Sequence, residues 1–311
     1  MLDKLWEKVG ESVGERWVLT VFSPAFVFWA GGFVASQRVE GVGILESLGR
    51  SDFFYDLRDL PQAGQLATVL GALLLISFSG TLVERLQSGF LRVLEGYWPG
   101  WLAGIQSWRS RRWSRRIDAK YAELDRLRNQ STASALQRRA VLDNELAHLP
   151  VQQAHAMPTL LGNLLRAAET YPQVRYGLDA VVCWPRLYFL LSDSLREEIG
   201  TARERLNESV RFLVWSLLFT IWTIQASWAL WSLVLAWLVY RQAVNAAGIY
   251  GDLVRTAFDL KRFDLYQSLG WSPPLSPAEE EEKGRQLTEH LFRGTAPAGM
   301  TYERKRDPKE D

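Results

Sequence analysis

The sequence is poor in the residues on which most catalytic and metal centres depend. Its 311 residues include one cysteine, three histidines and three methionines. The single cysteine, Cys183, excludes an intrachain disulfide, and its place in an apolar run marks it as a small buried hydrophobe. His148 and His155 are separated by Pro150, which breaks a shared helical face, and with His290 they give no zinc-site spacing. There is no H-E-x-x-H, no G-x-S-x-G and no Walker A motif. Gly41-Val42-Gly43 begins a G-x-G, but Glu46 stands where the third glycine belongs. These absences point to a non-enzymatic protein with no cofactor and no metal. Charge of one sign is missing too: 36 basic and 35 acidic side chains leave a net charge of +1, which argues against a nucleic-acid binder.

What the sequence does have is apolar residues gathered into blocks without charge. Residues 17–35 form one such block and 66–83 another, each close to the 20 residues or so that cross a hydrocarbon core. The sixteen residues before the first block are net acidic and no clean cleavage site follows it, so it reads as an uncleaved span, kinked at Pro24. A third block, 212–240, is long for one span and short for two. Trp222, Trp228 and Trp231 flank the polar point Gln225-Ala226-Ser227, and tryptophan prefers the membrane interface. A turn near Gln225 gives two spans, 210–225 and 227–247. Residues 109–145 hold ten Lys/Arg against five Asp/Glu, which keeps the 84–209 region cytoplasmic. The two-span reading also returns Arg241, Arg255, Lys261 and Arg262 to that side.

The expectation is an all-α integral membrane protein of the bacterial inner membrane. It has about four transmembrane helices, a helical cytoplasmic domain and both termini in the cytoplasm. Residues 36–65 form an extracytoplasmic loop. Residues 1–16 carry Leu2, Leu5, Trp6, Val9 and Val13 on one face of an amphipathic helix. The second span continues as a helix until Pro99. Residues 110–148 read as a helical hairpin, a short antiparallel coiled coil. Ile117, Tyr121, Leu124 and Leu127 form one stripe, Leu136, Ala140, Leu142 and Leu146 the other, and 129–133 the turn. Thr159 opens a helix that Tyr171-Pro172 ends, and Ser192 or Asp193 caps the helix leading into the third span. Residues 248–292 continue as cytoplasmic helices, and Ser276-Pro277 followed by four glutamates is a helix start. The tail 293–311 has the composition of a disordered segment.

Three sets of residues are functional candidates. Trp108, Arg109, Arg111, Arg112, Trp113, Arg115 and Arg116 interleave aromatic and cationic side chains beside a span, which suits contact with anionic lipid headgroups; the alternative is a plain topology determinant. The blocks hold no ionisable residue, which disfavours proton-coupled transport and leaves a passive pore lined by Ser77, Ser79, Thr223 and Gln225. Ala243, Ala247 and Gly251, four apart, permit close helix packing, on the extension of the second span or between copies.

The pieces Pro158-Thr159-x-Leu161-Gly162-Asn163, Arg175-Tyr176-Gly177-Leu178-Asp179, Trp184-Pro185-Arg186-Leu187 and 250–260 resemble a pattern of bacterial multi-pass membrane proteins to which no activity attaches. The resemblance implies a shared architecture only. The leading functional expectation is a homo-oligomeric pore-like or signalling component, in which helices continuing out of the bilayer transmit a tilt or rotation. One alternative is a scaffold recruiting a soluble partner through the basic hairpin. Another is an interfacial lipid-acting enzyme using Arg175, Asp179 and Arg186.

Overall fold

The computed structural model describes residues 23–36, 59–295 and 302. The amphipathic helix at 1–16, the start of the first block, most of the 36–65 loop and nearly all of the tail after 295 lie outside them. Among the described residues the protein is all-helical. The helices are α1 (Pro24–Ser36), α2 (Gln62–Glu95), α3 (Ala103–Leu127), α4 (Ala133–Ala147), α5 (Leu160–Tyr176), α6 (Ala180–Leu190), α7 (Asp193–Phe219), α8 (Trp231–Ser268) and α9 (Pro277–Arg293). They form two units, Met1–Phe90 with Asn207–Gln242, and Leu91–Leu206 with Ala243–Asp311.

Among the described residues, one helical run, beginning at Gln62, is long and apolar enough to cross a membrane, and just 11% of its most apolar stretch is buried. That exposure sets it apart from the buried core helix of a globular domain. Leu66, Leu70, Leu74 and Phe78 stand exposed along it. α1 begins at Pro24, and the part of the first block before Ser23, on which the expected kink depends, lies outside the described residues. The first helical position needs no N–H, and the Ser23 hydroxyl accepts from the Phe26 amide at 3.2 Å. As described, α1 is 13 residues long, shorter than a span.

Ala25, Phe28, Ile76, Val83, Val214 and Trp215 make this unit's core. Gly31 and Gly32 let α1 approach closely, because a Cβ on either would overlap the ring of Phe219 or Trp222. Beyond α7, 3-10 turns at Thr220–Ile224 and Ser227–Leu230 flank Gln225 and Ala226. The chain reverses there, as the polar point in the sequence implies. The rings of Phe219 and Trp228 meet at 5.9 Å, and Trp215 and Ser216 share a cavity with Ser232 and Leu235.

In the second unit α3 and α4 form the expected hairpin, its turn closed by Thr132, whose hydroxyl accepts from the Ala135 amide at 3.3 Å. Glu123 takes a bidentate Arg138 across it at 2.7 and 3.0 Å, and Lys120 pairs with Glu145. The inner stripe of α4 is Ala135, Leu142 and Leu146, while Leu136 is exposed. The Thr132 cap fixes the helical phase, and that phase turns Ala135 inward. The hairpin closes on Ile117, Leu149 and Ala156.

The main core joins Leu178, Cys183 and Leu187 to Phe258, Leu265, Tyr266 and Leu287. Two prolines are absorbed inside helices. α5 does not end at Tyr171-Pro172; it runs through Pro172 to Tyr176 and stops at Gly177, whose φ is +71°. One missing N–H weakens a helix but need not end it, whereas a left-handed glycine does. α6 likewise continues through Pro185, and Arg186 donates to the Val182 carbonyl at 2.8 Å. The Ser192 hydroxyl caps α7, accepting from the Leu195 amide at 3.4 Å.

Candidate membrane-facing surface

The strongest surface feature lies on α3 of the second unit. No acidic residue occurs between Glu95 and Asp118, while Arg109, Arg111, Arg112, Arg115 and Arg116 all do. A short 3-10 turn, Gly100–Leu102, leads into the helix. Trp101 within that turn and Ile105 and Trp108 on α3 stand four and three residues apart, the spacing of one helical face. All three point outward, with relative exposures of 82%, 53% and 50%. Arg112 is next along that face, its guanidinium 5.8 Å from the Trp108 ring centre.

The seven residues named from the sequence divide by role. Arg109 is exposed but tethered: its Nε donates to the Pro158 carbonyl at 2.9 Å and its guanidinium lies 6.0 Å from the Trp98 ring. Trp113 packs beside the Ile117 cluster, and Arg116 covers it at 5.4 Å. All seven except the half-buried Trp113 are exposed, and among the described residues Arg111, Arg112 and Arg115 make no polar contact with another part of the fold. A cavity of about 160 Å³ opens between Trp108, Arg109, Arg112, Trp113 and Arg116. Trp101 and Ile105 were missed as members of this face, although their spacing to Trp108 is visible in the sequence.

The other candidates fall elsewhere. Ser79 accepts the Trp29 indole N–H at 3.1 Å and donates to the Ile76 carbonyl at 2.9 Å. Ser77 is exposed and stands about 200° around the helix from Ser79. Gln225 is exposed at the chain reversal and Thr223 is half-buried beside it. Within one chain the structure does not bring these four polar groups onto a common lining. Ala243, Ala247 and Gly251 are buried, and a Cβ on Gly251 would lie 3.1 Å from that of Ala168 on α5.

Arg175 stacks near the rings of Tyr171 and Tyr176 at 5.8 and 5.9 Å. Asp179 caps α6 by accepting from the Val182 amide at 3.1 Å. Arg186 is held on its own helix as described. Among the described residues no group of three or more His, Cys, Asp or Glu side chains could hold a metal ion.

The segments that carry the resemblance act as joints between helices. The Thr159 hydroxyl caps α5 by accepting from Gly162 at 2.9 Å and donates to the Leu94 carbonyl at 2.6 Å. Gly162 gives way to the Glu95 carbonyl, which a Cβ would strike. Asn163, fully buried, grips Met157 through both its amide and its carbonyl. Tyr171 and Tyr176 both donate to the Asp259 carboxylate, at 3.0 and 2.6 Å. Burial and that carboxylate push the Tyr176 phenol well above the usual tyrosine range.

No family model matches the chain, and neither a curated protein nor a solved structure matches it.

Proposed function

We propose that this is a polytopic membrane protein of the bacterial inner membrane, non-enzymatic, whose helical unit serves as a platform on the anionic cytoplasmic face of the bilayer. The observation that carries this reading is the exposed row Trp101, Ile105, Trp108 and Arg112 within an acid-free stretch bearing five arginines. Indole rings favour the headgroup level, and each arginine near an anionic surface contributes about 1 kcal/mol. The exposed apolar row of α2 supports insertion, and the charge-free blocks at 17–35 and 212–240 supply the other three spans.

In this reading the α3–α4 hairpin is the part that presents the platform to a soluble partner. Alkaline carbonate extraction, combined with single-cysteine labelling from each side of the membrane, tests it. The protein should stay in the pellet, with positions in 36–65 labelled from outside and positions in 110–148 labelled from inside. Release into the carbonate supernatant would overturn it.

A second reading, a pore-like or signalling homo-oligomer, is favoured by the exposed leucines and Phe78 along α2, which suit contact between copies as well as lipid. Mass photometry in nanodiscs separates the two. A ring of four or more copies favours the pore, and a monomer or dimer favours the platform.

A further inference from the structure

The second unit contains a cavity of about 370 Å³ among the end of α2 and helices α5, α6, α7 and α8. That is within the range of small-ligand sites. Its lining is apolar at Leu165, Val181, Trp184 and Val254. It also carries the charged side chains Glu95, Arg166, Glu169 and Arg203. Arg166 is already paired with Glu169 at 2.8 Å. Arg203 is not: its guanidinium stacks 5.3 Å from the Tyr250 ring centre and makes no hydrogen bond or ion pair among the described residues. The stack fixes the plane of the fork while leaving its N–H groups without a protein acceptor.

Glu95 is a neighbouring carboxylate on which the Arg203 charge acts, but the two make no ion pair among the described residues. Its backbone is pinned, because the Thr159 hydroxyl donates to the Leu94 and Glu95 carbonyls at 2.6 and 3.1 Å. Burial raises its pKa, which disfavours the charged form that would neutralise Arg203. The cavity thus offers an oriented cation and an apolar lining, with a neighbouring acid held back.

We propose that this cavity binds a small anionic amphiphile, its phosphate or carboxylate head on Arg203 and its apolar body against Trp184, Val181 and Val254. The mixed lining is what such a ligand needs. An inorganic anion would leave the apolar lining wet, and an alcohol could accept a hydrogen bond from Arg203 but would leave its charge uncompensated. The site is separate from the α3 surface and does not rest on the membrane reading.

Thermal unfolding of the full chain in phosphatidylcholine nanodiscs at neutral pH tests the proposal, with octyl phosphate as the probe. Octyl phosphate should raise the melting temperature saturably, while octanol and inorganic phosphate at equal concentration leave it unchanged. Arg203→Gln should weaken the response at least tenfold. Val181→Trp, at the exposed rim, should block it without altering the charged side chains, and decides the matter if Arg203→Gln fails to fold. An unchanged response in Val181→Trp overturns the site. An equal response to octanol overturns the role of Arg203, and an equal response to inorganic phosphate overturns the role of the apolar lining.

Discussion

The Tyr176 hydroxyl donates to the Asp259 carboxylate at 2.6 Å, tying the last turn of α5 to the middle of α8. Tyr171 donates to the same carboxylate, and the Arg262 guanidinium lies 4.4 Å from the Tyr176 ring centre. Arg262 also donates to the Asp259 carbonyl and pairs with Glu280 of α9 at 2.6 Å. The Asp259 carboxylate thereby joins α5 to α8, and Arg262 joins α8 to α9. A hydrogen bond to a charged group contributes about 1.5–3 kcal/mol. Tyr176→Phe should lower stability by about that amount, whereas Asp259→Asn, which keeps an acceptor oxygen, should cost less. A double-mutant cycle read by thermal denaturation checks this, and strict additivity would dismiss the coupling.

Much of the helical layout was legible because its signals are local. The turn at 129–133, the Ser192 cap, the proline start of α9 and the reversal at Gln225 each depend on a few adjacent residues. The prolines misled, because whether a helix survives Pro172 depends on what its two ends touch. Here Tyr171 and Tyr176 both reach Asp259, 88 and 83 residues away. The phase of α4 was missed for a similar reason: Thr132 decides it, and the apolar pattern alone allowed Leu136 to face inward. On α3 the arginines were conspicuous, but only the fold shows that Arg109 is tethered to the Pro158 carbonyl and that Trp101 and Ile105 are exposed beside Trp108. The cavity at Arg203 was invisible in the sequence, since its walls come from five helices.

α5 and α9 meet so closely that a Cβ on Gly284 would overlap the Tyr176 carbonyl. Backbone cannot yield there as a flexible side chain would. Gly284→Ala should destabilise the protein by about 2–3 kcal/mol, whereas Gly200→Ala, on α7 with nothing within 4 Å of the added Cβ, should not destabilise it. Comparison of the two melting temperatures checks the packing.

Stability should depend on pH through Glu95. Its folded-state pKa is raised, chiefly by burial. The stability linked to its neutral form is therefore full below the ordinary glutamate value and is lost as pH rises through the higher folded value. Glu95→Gln removes that loss, so the variant should melt above the wild type at neutral pH, with the gap closing below about pH 4.5. A gap independent of pH would show that Glu95 is not desolvated.

Cys183 is fully buried, and burial pushes its thiol up to about 12. It should resist iodoacetamide in the folded protein at pH 8 and react promptly once the chain is unfolded. Mass spectrometry of the labelled chain reads both states.

That inertness allows a new cysteine on α3 to be labelled selectively. The decisive measurement is bimane fluorescence from Ile105→Cys in the full chain, reconstituted with bromine-labelled anionic phospholipid. Ser107→Cys, about 200° around the same helix, is the control. A membrane-docked α3 predicts strong quenching at 105 and little at 107. It also predicts that quenching at 105 falls when Arg111 and Arg115 are both replaced by Gln or when the lipid is neutral. Equal, weak quenching at both positions would contradict the docking of this face on the bilayer.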